Sequence, residues 1–377
     1  MTKPDASPFA RVTALAFKRH VITAPGAGDP NADDLERASG QVRVRRMRIV
    51  DLRLLASRID VTYLDHPFIQ TDRSGVFAIG LRTLRPFNRL APVTNLAFVG
   101  DDDFAGVIQF RQTAPDRRWT ALAVGLTDNA GDGETVTEQL LEYSIRRAGR
   151  AGAKRLFARI PFDCESANAF GRAGFEAYMS ESILQIPELQ GLSIVSGRVR
   201  EQEAADTWAV HQLYHASAPK QVQYAEAWTS HRWDPANARR SKPAVRSWVI
   251  DEGHQISAHA RVVRGNHRAI IETMYLPDRA DCGIELVRDI ARRIGAESSR
   301  CQISVVARGH QAELIGALHD LGVVLAGEQY LAVRYTAVKV SGKTVDVLTP
   351  SPLEVRERVP KRVPSFMDRP HNDRIAP

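Results

Sequence analysis

The sequence has few cysteines and no long apolar run. Its three cysteines, among 377 residues, include no CxxC pair, which argues against a disulfide framework and against a cysteine-rich zinc site. No stretch of about 18 consecutive apolar residues is present, so no transmembrane helix is predicted. The first ten residues lack the apolar segment of a signal peptide. We therefore expect a cytoplasmic protein with no membrane partner.

Several catalytic signatures are absent as well. The sequence contains no GxSxG elbow, no GxxxxGKS/T loop and no HExxH pair. These absences argue against an α/β-hydrolase, a P-loop nucleotidase and a zincin-type metalloprotease. Function must therefore be sought in the organisation of the chain.

Lysine is scarce, although the chain is basic. The formal net charge is +7, yet only eight of the 51 basic residues are lysines. Codon bias toward arginine is one explanation, and a phosphate-rich partner, either nucleic acid or a phosphorylated cofactor, is the other. The basic residues are interspersed with acidic ones rather than gathered in a run, which does not favour nucleic acid.

Length and composition predict two folded domains between two tails. At roughly 100–200 residues per domain, the length corresponds to two domains or at most three. The first forty residues contain the segment Ala24-Pro25-Gly26-Ala27-Gly28, which cannot continue a helix or a central strand, and the last 28 contain six prolines. The predicted organisation is a flexible tail (1–41), an N-terminal domain (42–190), a C-terminal domain (191–340) and a proline-rich tail (341–377).

A weak internal repeat relates the two domains. Val44-Arg45 is followed after five residues by Asp51, and Val199-Arg200 is followed after five residues by Asp206. Each copy predicts a short strand and then a helix with the aspartate as its N-cap. Apolar residues continue each predicted helix at helical spacing: Leu54, Leu55 and Ile59 in the first copy, and Val210, Leu213 and Tyr214 in the second.

The remainder of each copy predicts three antiparallel strands followed by alternating helices and strands. The order β-α-β-β-β-α-β-α-β occurs twice and predicts a mixed α/β sheet with helices on both faces. The predicted hairpins are 95–99 with 105–110, and 247–250 with 256–263. The later strands are 119–126, 155–160 and 182–186 in the first copy, and 269–276, 302–306 and 329–335 in the second.

The layout resembles the GNAT superfamily of acyl-CoA-dependent N-acyltransferases. The residues that carry the resemblance are Ser166-Ala167-Asn168-Ala169-Phe170 leading to Ala173-Gly174-Phe175, after an amphipathic helix and a strand. The resemblance covers residues 42–187 and 197–337. It implies an α/β fold of two tandem GNAT-like domains, each a mixed central sheet flanked by helices.

The resemblance also implies a site and a reaction. In this family the pantetheine arm of the acyl donor lies where the fourth and fifth strands separate, and backbone N–H groups at the start of the next helix bind its pyrophosphate. The resemblance therefore implies acetyl-CoA or another acyl-CoA as co-substrate and a small-molecule amine as acceptor, with no metal expected. A tyrosine before the late Gly-Phe protonates the departing thiolate, and a glutamate on the fourth strand or a water accepts the amine proton.

The first copy departs from this pattern. Its loop keeps Gly131 and Gly133 as candidate cofactor-binding residues, but earlier than the family places them, and it lacks the basic residue. Acidic side chains lie where phosphate would bind, and Thr135 with Glu138 predicts a capping box. Phe170 stands where the family has its tyrosine. We expect this half to support the fold without binding a donor.

The second copy keeps more of the pattern, so we expect the chemistry there. Glu272 on the fourth strand is the candidate base, and Tyr275 is the candidate acid because Leu318 replaces the family's tyrosine. The candidate cofactor-binding residues of this loop are Leu276, Arg279, Gly283 and Ile284.

Aromatic residues and histidines alternate between the first helix and the first hairpin of the second copy. The resemblance implies that this region covers the acceptor, so these side chains suit a pocket for a small amine or sugar. An interdomain packing surface and a histidine zinc site are the alternatives. The residues are Tyr214, Tyr224, Trp228 and Trp233 with His211, His215 and His231.

Two other functions remain open. A GNAT-like fold that has lost its reaction would be a binding or scaffold protein, and clefts filled by protein side chains would favour it. An aminoacyl-tRNA-dependent transferase is admitted by the positive charge but not favoured, and it would need a continuous arginine patch along a channel. The sequence also leaves a homodimer open.

Overall fold

The structure is a computed structural model. It describes residues 42–65, 75–84, 91–100, 102–113, 118–187, 197–236, 244–265, 267–298 and 300–336. Both predicted tails lie outside the described residues, and the predicted domain boundaries stay predictions.

The first half contains seven described strands. Its helices are a 3-10 helix (Ile49–Ala56), α1 (Val76–Thr83), α2 (Gly133–Arg150) and α3 (Ala167–Arg172). Its strands are β1 (Arg43–Arg46), β2 (Asp60–Tyr63), β3 (Val93–Val99), β4 (Asp103–Thr113), β5 (Arg118–Leu126), β6 (Arg155–Pro161) and β7 (Glu176–Ile186).

The second half contains six described strands. Its helices are α4 (Thr207–Ser217), α5 (Lys220–Glu226), α6 (Ala280–Glu297) and α7 (Ala312–Asp320), with 3-10 helices at Ala204–Asp206 and Ser230–Trp233. Its strands are β8 (Val199–Glu201), β9 (Ala244–Asp251), β10 (Ile256–Arg264), β11 (Arg268–Tyr275), β12 (Gln302–Arg308) and β13 (Val324–Tyr335). The predicted α/β class, with a mixed sheet and helices in each half, is confirmed.

The long helices α2 and α6 form where the apolar periodicity predicts them. Each buries one stripe of its surface against the sheet, including Leu140 and Leu141 in α2 and Leu286 and Ile290 in α6. Burying one such side chain contributes roughly 1.5–3 kcal/mol, so a continuous stripe fixes which face meets the sheet. Both predicted hairpins are present, as β3 with β4 and β9 with β10.

All thirteen described strands belong to one sheet. Its order is β1-β3-β4-β5-β6-β13-β7-β12-β11-β10-β9-β8, and β2 pairs with β5 beside this path. The pairs β5–β6 and β11–β12 are parallel, and the other pairs are antiparallel. The sheet therefore runs without a break from one half to the other.

The two halves exchange their last strands. β13, from the second half, lies between β6 and β7 of the first half, and β7 pairs with β12 of the second. The exchange reaches both cores, because Leu184 of β7 packs in the C-terminal core and Ala332 of β13 packs in the N-terminal core. Neither half has a complete sheet without a strand from the other.

The Arg–Asp repeat forms the same ion pair in each half. Arg45 makes two hydrogen bonds to Asp51, of 2.6 and 2.8 Å, and Arg200 makes two to Asp206, of 2.7 and 2.9 Å. The predicted N-cap role is wrong for Asp51, which lies inside its 3-10 helix, whereas Asp206 stands at the N-cap of α4 but makes no side-chain capping hydrogen bond there. Each carboxylate instead accepts a backbone N–H from three residues earlier, so it closes a 3-10 turn.

The first copy differs from the predicted helix in one important way. Its helix ends at Ala56, so Ile59 lies beyond it in extended chain rather than on its apolar face. The next residues form β2, which the sequence analysis did not predict because four alternating residues give too short a signal. β2 pairs antiparallel with the end of β5.

The exchanged strands predict that the halves stay together after the chain is cut. A protease site introduced within residues 188–196 and then cleaved should give two fragments that co-elute in size-exclusion chromatography. Separation needs β13 to leave β6 and β7, which would expose two apolar cores to water. Fragments that separate without denaturant would contradict the exchange.

Candidate functional site

In the C-terminal half, the parallel strands β11 and β12 are interior strands of the sheet that separate toward their C-terminal ends. Their pairing runs from Arg268 opposite Gln302 to Glu272 opposite Val306 and stops there. Beyond it the Gln311 side chain donates to the Thr273 carbonyl oxygen at 3.1 Å. This is the opening that the resemblance assigns to the pantetheine arm.

A pocket lies beside this opening, with a cavity volume of about 60 Å³. It has room for a few water molecules or one small polar group. Strands β10 to β12, helix α4 and the turn that follows α5 supply most of its walls, and β6 and β7 of the first half supply the rest. Its lining is Arg159, Glu181, Tyr214, Ser217, Ala218, Trp228, Arg232, Trp233, His259, Arg261, Glu272, Thr273, Met274, Val306, Arg308 and His310.

Three of the predicted aromatic side chains do line this pocket. Tyr214, Trp228 and Trp233 pack against one another with ring centroids 5.3–5.5 Å apart. Tyr224 does not line it and is 73% exposed. The indole of Trp233 donates to His211 at 3.2 Å, so that histidine holds the aromatic wall from outside.

Arg159 binds three carboxylates at the centre of the molecule. Its guanidinium lies 3.1 Å from Asp65, 3.1 Å from Glu181 and 3.5 Å from Glu272. Burial alone would lower the pKa of Arg159, but Glu181, Asp65 and Glu272 more than offset it, so the pKa is raised and the cation is permanent. Asp65 also binds Arg111 at 2.7 Å. The network joins β2, β4, β6, β7 and β11.

A second ion pair supports the aromatic wall. Glu226 is buried and accepts hydrogen bonds from Arg308 at 2.8 Å and from the Tyr214 hydroxyl at 3.0 Å. Trp228 lies 5.4 Å from Arg308 and 5.0 Å from Arg232, so two guanidinium groups contact its ring. These contacts fix the pocket without a ligand.

Glu272, the predicted base, is held by arginines. It binds Arg261 at 2.8 Å in addition to Arg159. Burial would raise the pKa of Glu272, but Arg261, Arg159 and Arg232 lower it to about 2. A carboxylate with so low a pKa accepts a proton poorly at neutral pH.

Tyr275, the predicted acid, packs against the predicted cofactor loop. A Cβ atom built at Gly283 would collide with the Tyr275 ring, so glycine is required there by the tyrosine itself. The backbone N–H of Leu314 in α7 hydrogen-bonds the phenol, and burial raises the pKa of Tyr275. The hydroxyl therefore stays protonated at neutral pH, although the residue does not line the pocket.

The loop that leads into α6 carries a balanced charge. Arg279 binds Glu252 and Asp281, and Arg198 binds Glu285 nearby. The positive charge predicted to meet phosphate is thus already opposed by carboxylates.

The remaining loop residues predicted to bind the donor are held by the protein itself. The backbone N–H of Leu276 donates a hydrogen bond to the carbonyl oxygen of Ser257 on β10, at 3.0 Å. Ile284 packs against the C-terminal core.

In the N-terminal half, the corresponding opening is closed by the chain. β5 and β6 pair only from Arg118 to Thr120, and β2 then lies along β5. Leu64, just after β2, donates its N–H to Leu122 at 2.8 Å and accepts the N–H of Arg159 at 3.1 Å. Backbone therefore bridges the two strands where a donor would have to lie.

The loop before α2 is also unsuited to an anion. Gly131 has a φ of +62°, and a Cβ at Gly133 would lie 2.7 Å from Leu126. The predicted capping box is wrong. Asp132 caps α2 by accepting from the Glu134 N–H and the Thr135 hydroxyl, while Glu138 pairs with Arg172 of α3.

Most residues that line the pocket escaped the sequence analysis, and two of them matter for its chemistry. His310 follows β12, and burial and then Arg308 lower the pKa of His310 to about 4, which leaves a neutral imidazole at neutral pH. Arg232 lies in the segment with the aromatic residues, but nothing in the sequence sets it apart from the other arginines among the 43 in the chain. Its contact with Trp228 is what marks it in the structure. Neither residue belongs to a motif.

The described ranges of the chain lack two further features. No group of three or more His, Cys, Asp or Glu side chains is arranged to hold a metal ion there. None of the helices described is long and apolar enough to cross a membrane.

Comparisons with known proteins give likenesses of fold alone. No protein-family model and no curated protein matches the chain. A tandem GNAT protein from the clavulanic acid biosynthesis pathway is similar with a TM-score of 0.48 and 11% identity, over 79% of this chain and 99% of the other. A GCN5-related N-acetyltransferase from Sphaerobacter thermophilus has a TM-score of 0.46 and 12% identity, over 78% and 96%. A putative acetyltransferase from Pyrococcus horikoshii is similar with a TM-score of 0.43 and 12% identity, over 85% of this chain and 94% of the other.

The Arg159 network predicts a large loss of stability when its cation is removed. Arg159→Met leaves Asp65 and Glu181, only 1% and 2% exposed, without their shared partner. We expect the free energy of unfolding in urea to fall by about 3–5 kcal/mol. Arg146→Met, on the exposed side of α2, should change it by less than about 0.5 kcal/mol. A loss at Arg159 no larger than that of an exposed ion pair, about 1 kcal/mol, would refute the central role.

Proposed function

We propose that the C-terminal half is an acyl-CoA-dependent N-acyltransferase that acts on a small amine. The observation that supports this most is the separation of β11 and β12, which the Gln311 side chain crosses but no backbone segment among the described residues fills, beside a pre-formed pocket. The equivalent separation in the N-terminal half is bridged by β2 and Leu64. Among the described residues, the C-terminal half alone offers an opening through which a thioester could meet an acceptor.

The proposed reaction is direct transfer. The acceptor nitrogen attacks the thioester carbonyl carbon, the C–N bond forms, the C–S bond breaks, and the products are an amide and a thiol. A proton must leave the nitrogen and another must reach the sulfur. We assign the polarisation of the thioester carbonyl to backbone N–H groups at the separated end of β11.

We assign the proton-accepting role to His310 rather than to Glu272. His310 lines the pocket, is neutral at pH 7 and has no hydrogen-bond partner among the described residues. Glu272 is ionised but bound by Arg159 and Arg261, so its proton affinity is much lower. Tyr275 remains the proposed acid. Its phenol oxygen accepts the backbone N–H of Leu314, so the hydroxyl proton is available to be donated to the thiolate.

A non-catalytic binding protein is the second candidate. The carboxylates around both loops favour it, since Asp132 and Glu134 in one half and Glu252 and Asp281 in the other would repel a pyrophosphate. Each such charge weakens anion binding by roughly 1–3 kcal/mol at partly exposed distances.

Acetyl-CoA binding tests the assignment to the C-terminal half. Arg279→Glu reverses the charge beside the α6 loop and should weaken acetyl-CoA binding at least about tenfold in calorimetric titration. Arg172→Glu makes the same change beside the α2 loop and should leave binding unchanged. Gly283 is not a useful probe, because any side chain there collides with Tyr275.

The pattern of these variants decides between the halves. A loss confined to Arg172→Glu would move the donor site to the N-terminal half. Acetyl-CoA that gives no heat with the unaltered protein would contradict the transferase proposal and favour a binding protein.

His310→Gln tests the proposed base. With acetyl-CoA and a panel of amines, release of the CoA thiol should fall about a hundredfold, because the proton acceptor is lost while the binding residues remain. The acetyl-CoA dissociation constant should be unchanged, and His319→Gln, on the exposed side of α7, should behave as the unaltered protein. A His310→Gln protein with unaltered turnover would exclude this role.

A further inference from the structure

The positive charge in the pocket exceeds the negative charge. Four arginines and two glutamates line it. Three of these arginines are compensated: Arg159 by three carboxylates, Arg261 by Glu272 and Arg308 by Glu226.

Arg232 is the exception. Among the described residues no carboxylate lies within ion-pair distance of Arg232, and its recorded contact is the Trp228 ring at 5.0 Å. The carboxylate that raises the pKa of Arg232 is Glu272, and Arg159 and Arg261 already bind it.

Arg232 lines the pocket and is exposed to solvent, with many protein atoms around its guanidinium group. This desolvation, together with repulsion from Arg261, lowers the pKa of Arg232 to about 9, so it still carries its charge at pH 7. An anion that enters the pocket stabilises this cation by Coulomb attraction, which neighbouring protein atoms strengthen relative to bulk water. The ring of Trp228 also fixes the plane of the guanidinium.

We propose that Arg232 binds the carboxylate of the acyl acceptor, so that the acceptor is a small amine that carries a carboxylate, as an amino acid does. The planar guanidinium presents paired donors that match the two oxygens of a carboxylate. This inference rests on the proposed function, since it names the acceptor class of that site.

Two further features of the pocket fit such a ligand. Thr273 lines the pocket, and its hydroxyl is buried without a hydrogen-bond partner among the described residues. A buried hydroxyl without a partner is costly, and a bound carboxylate or amine would supply one. The cavity volume of about 60 Å³ admits a compact group between the aromatic rings and the guanidinium.

The position of the pocket assigns the carboxylate to the acceptor rather than to the acyl chain. Trp228 and Arg232 belong to the segment between α4 and β9 and Tyr214 belongs to α4 itself, so none of the three is part of the loop that leads into α6. His310, the proposed base, lines the same pocket, so an amine held through its carboxylate lies within reach of the imidazole.

Binding of a product-like pair of ligands, without any acyl donor, tests the inference. N-acetylglycine and N-acetylglycinamide differ only in the carboxylate. We expect calorimetric titration to give at least about tenfold tighter binding of N-acetylglycine by the unaltered protein, as for the loss of one charge-assisted hydrogen bond. Arg232→Gln should abolish this preference, and Arg146→Gln, which removes a distant exposed arginine, should retain it.

Arg232→Lys and the melting temperature separate charge from folding. Arg232→Lys keeps the charge and should retain part of the preference, and all three variants should melt within a few degrees of the unaltered protein. Equal binding of the two ligands by the unaltered protein would overturn the inference. So would a preference that survives Arg232→Gln, or tighter binding of inorganic phosphate than of N-acetylglycine.

The outcome is separable from that of the transferase proposal. A carboxylate preference that depends on Arg232, in a protein that does not bind acetyl-CoA, would support the anion site and remove the proposed donor. Acetyl-CoA binding without any carboxylate preference would support the proposed donor and overturn the carboxylate site at Arg232.

Discussion

The ion network around Arg159 is the interaction on which the architecture depends. One guanidinium on β6 binds Asp65 at the end of β2, Glu181 on the exchanged strand β7 and Glu272 on β11. A buried cation with three anions is tolerated only where their geometry is fixed, because each ion loses its hydration. The same contacts join the two halves of the chain. They also anchor the segment after β2 that closes the opening between β5 and β6, and they hold Glu272 beside the opening between β11 and β12.

The two halves share a layout but differ where chemistry would occur. In the first half a short stretch of backbone supplies the hydrogen bonds that strands β5 and β6 no longer give each other. In the second half the side chain of Gln311 bridges the same position, accepting the Arg308 N–H and donating to the Thr273 carbonyl oxygen, and the space beside it is enclosed by aromatic rings and arginines. A single amide bridge is far easier to displace than a paired strand, so the halves differ in their capacity to admit a ligand.

The sequence predicts most of the elements but little of their arrangement. The stripes of α2 and α6 and the two hairpins follow from local periodicity, and the Arg45–Asp51 and Arg200–Asp206 spacings are visible as a repeat. The exchange of β7 and β13 leaves no local signal, since pairing between distant strands depends on tertiary contacts. The site shows the same limit: Trp228 and Trp233 are conspicuous because aromatics are few, whereas the compensation of Glu272 depends on Arg159, more than a hundred residues earlier.

The exchanged strand also sets an order of events during synthesis. β6 and β7 leave the ribosome about 150 residues before β13, which must lie between them. At about 5–20 residues per second, the first half waits on the order of ten seconds with one edge of β6 and both edges of β7 lacking their final partners. Those edges are templates for pairing with another nascent chain. A polypeptide built in this way depends on rapid completion or on chaperone protection, and a pause in translation within the second half would expose it to aggregation.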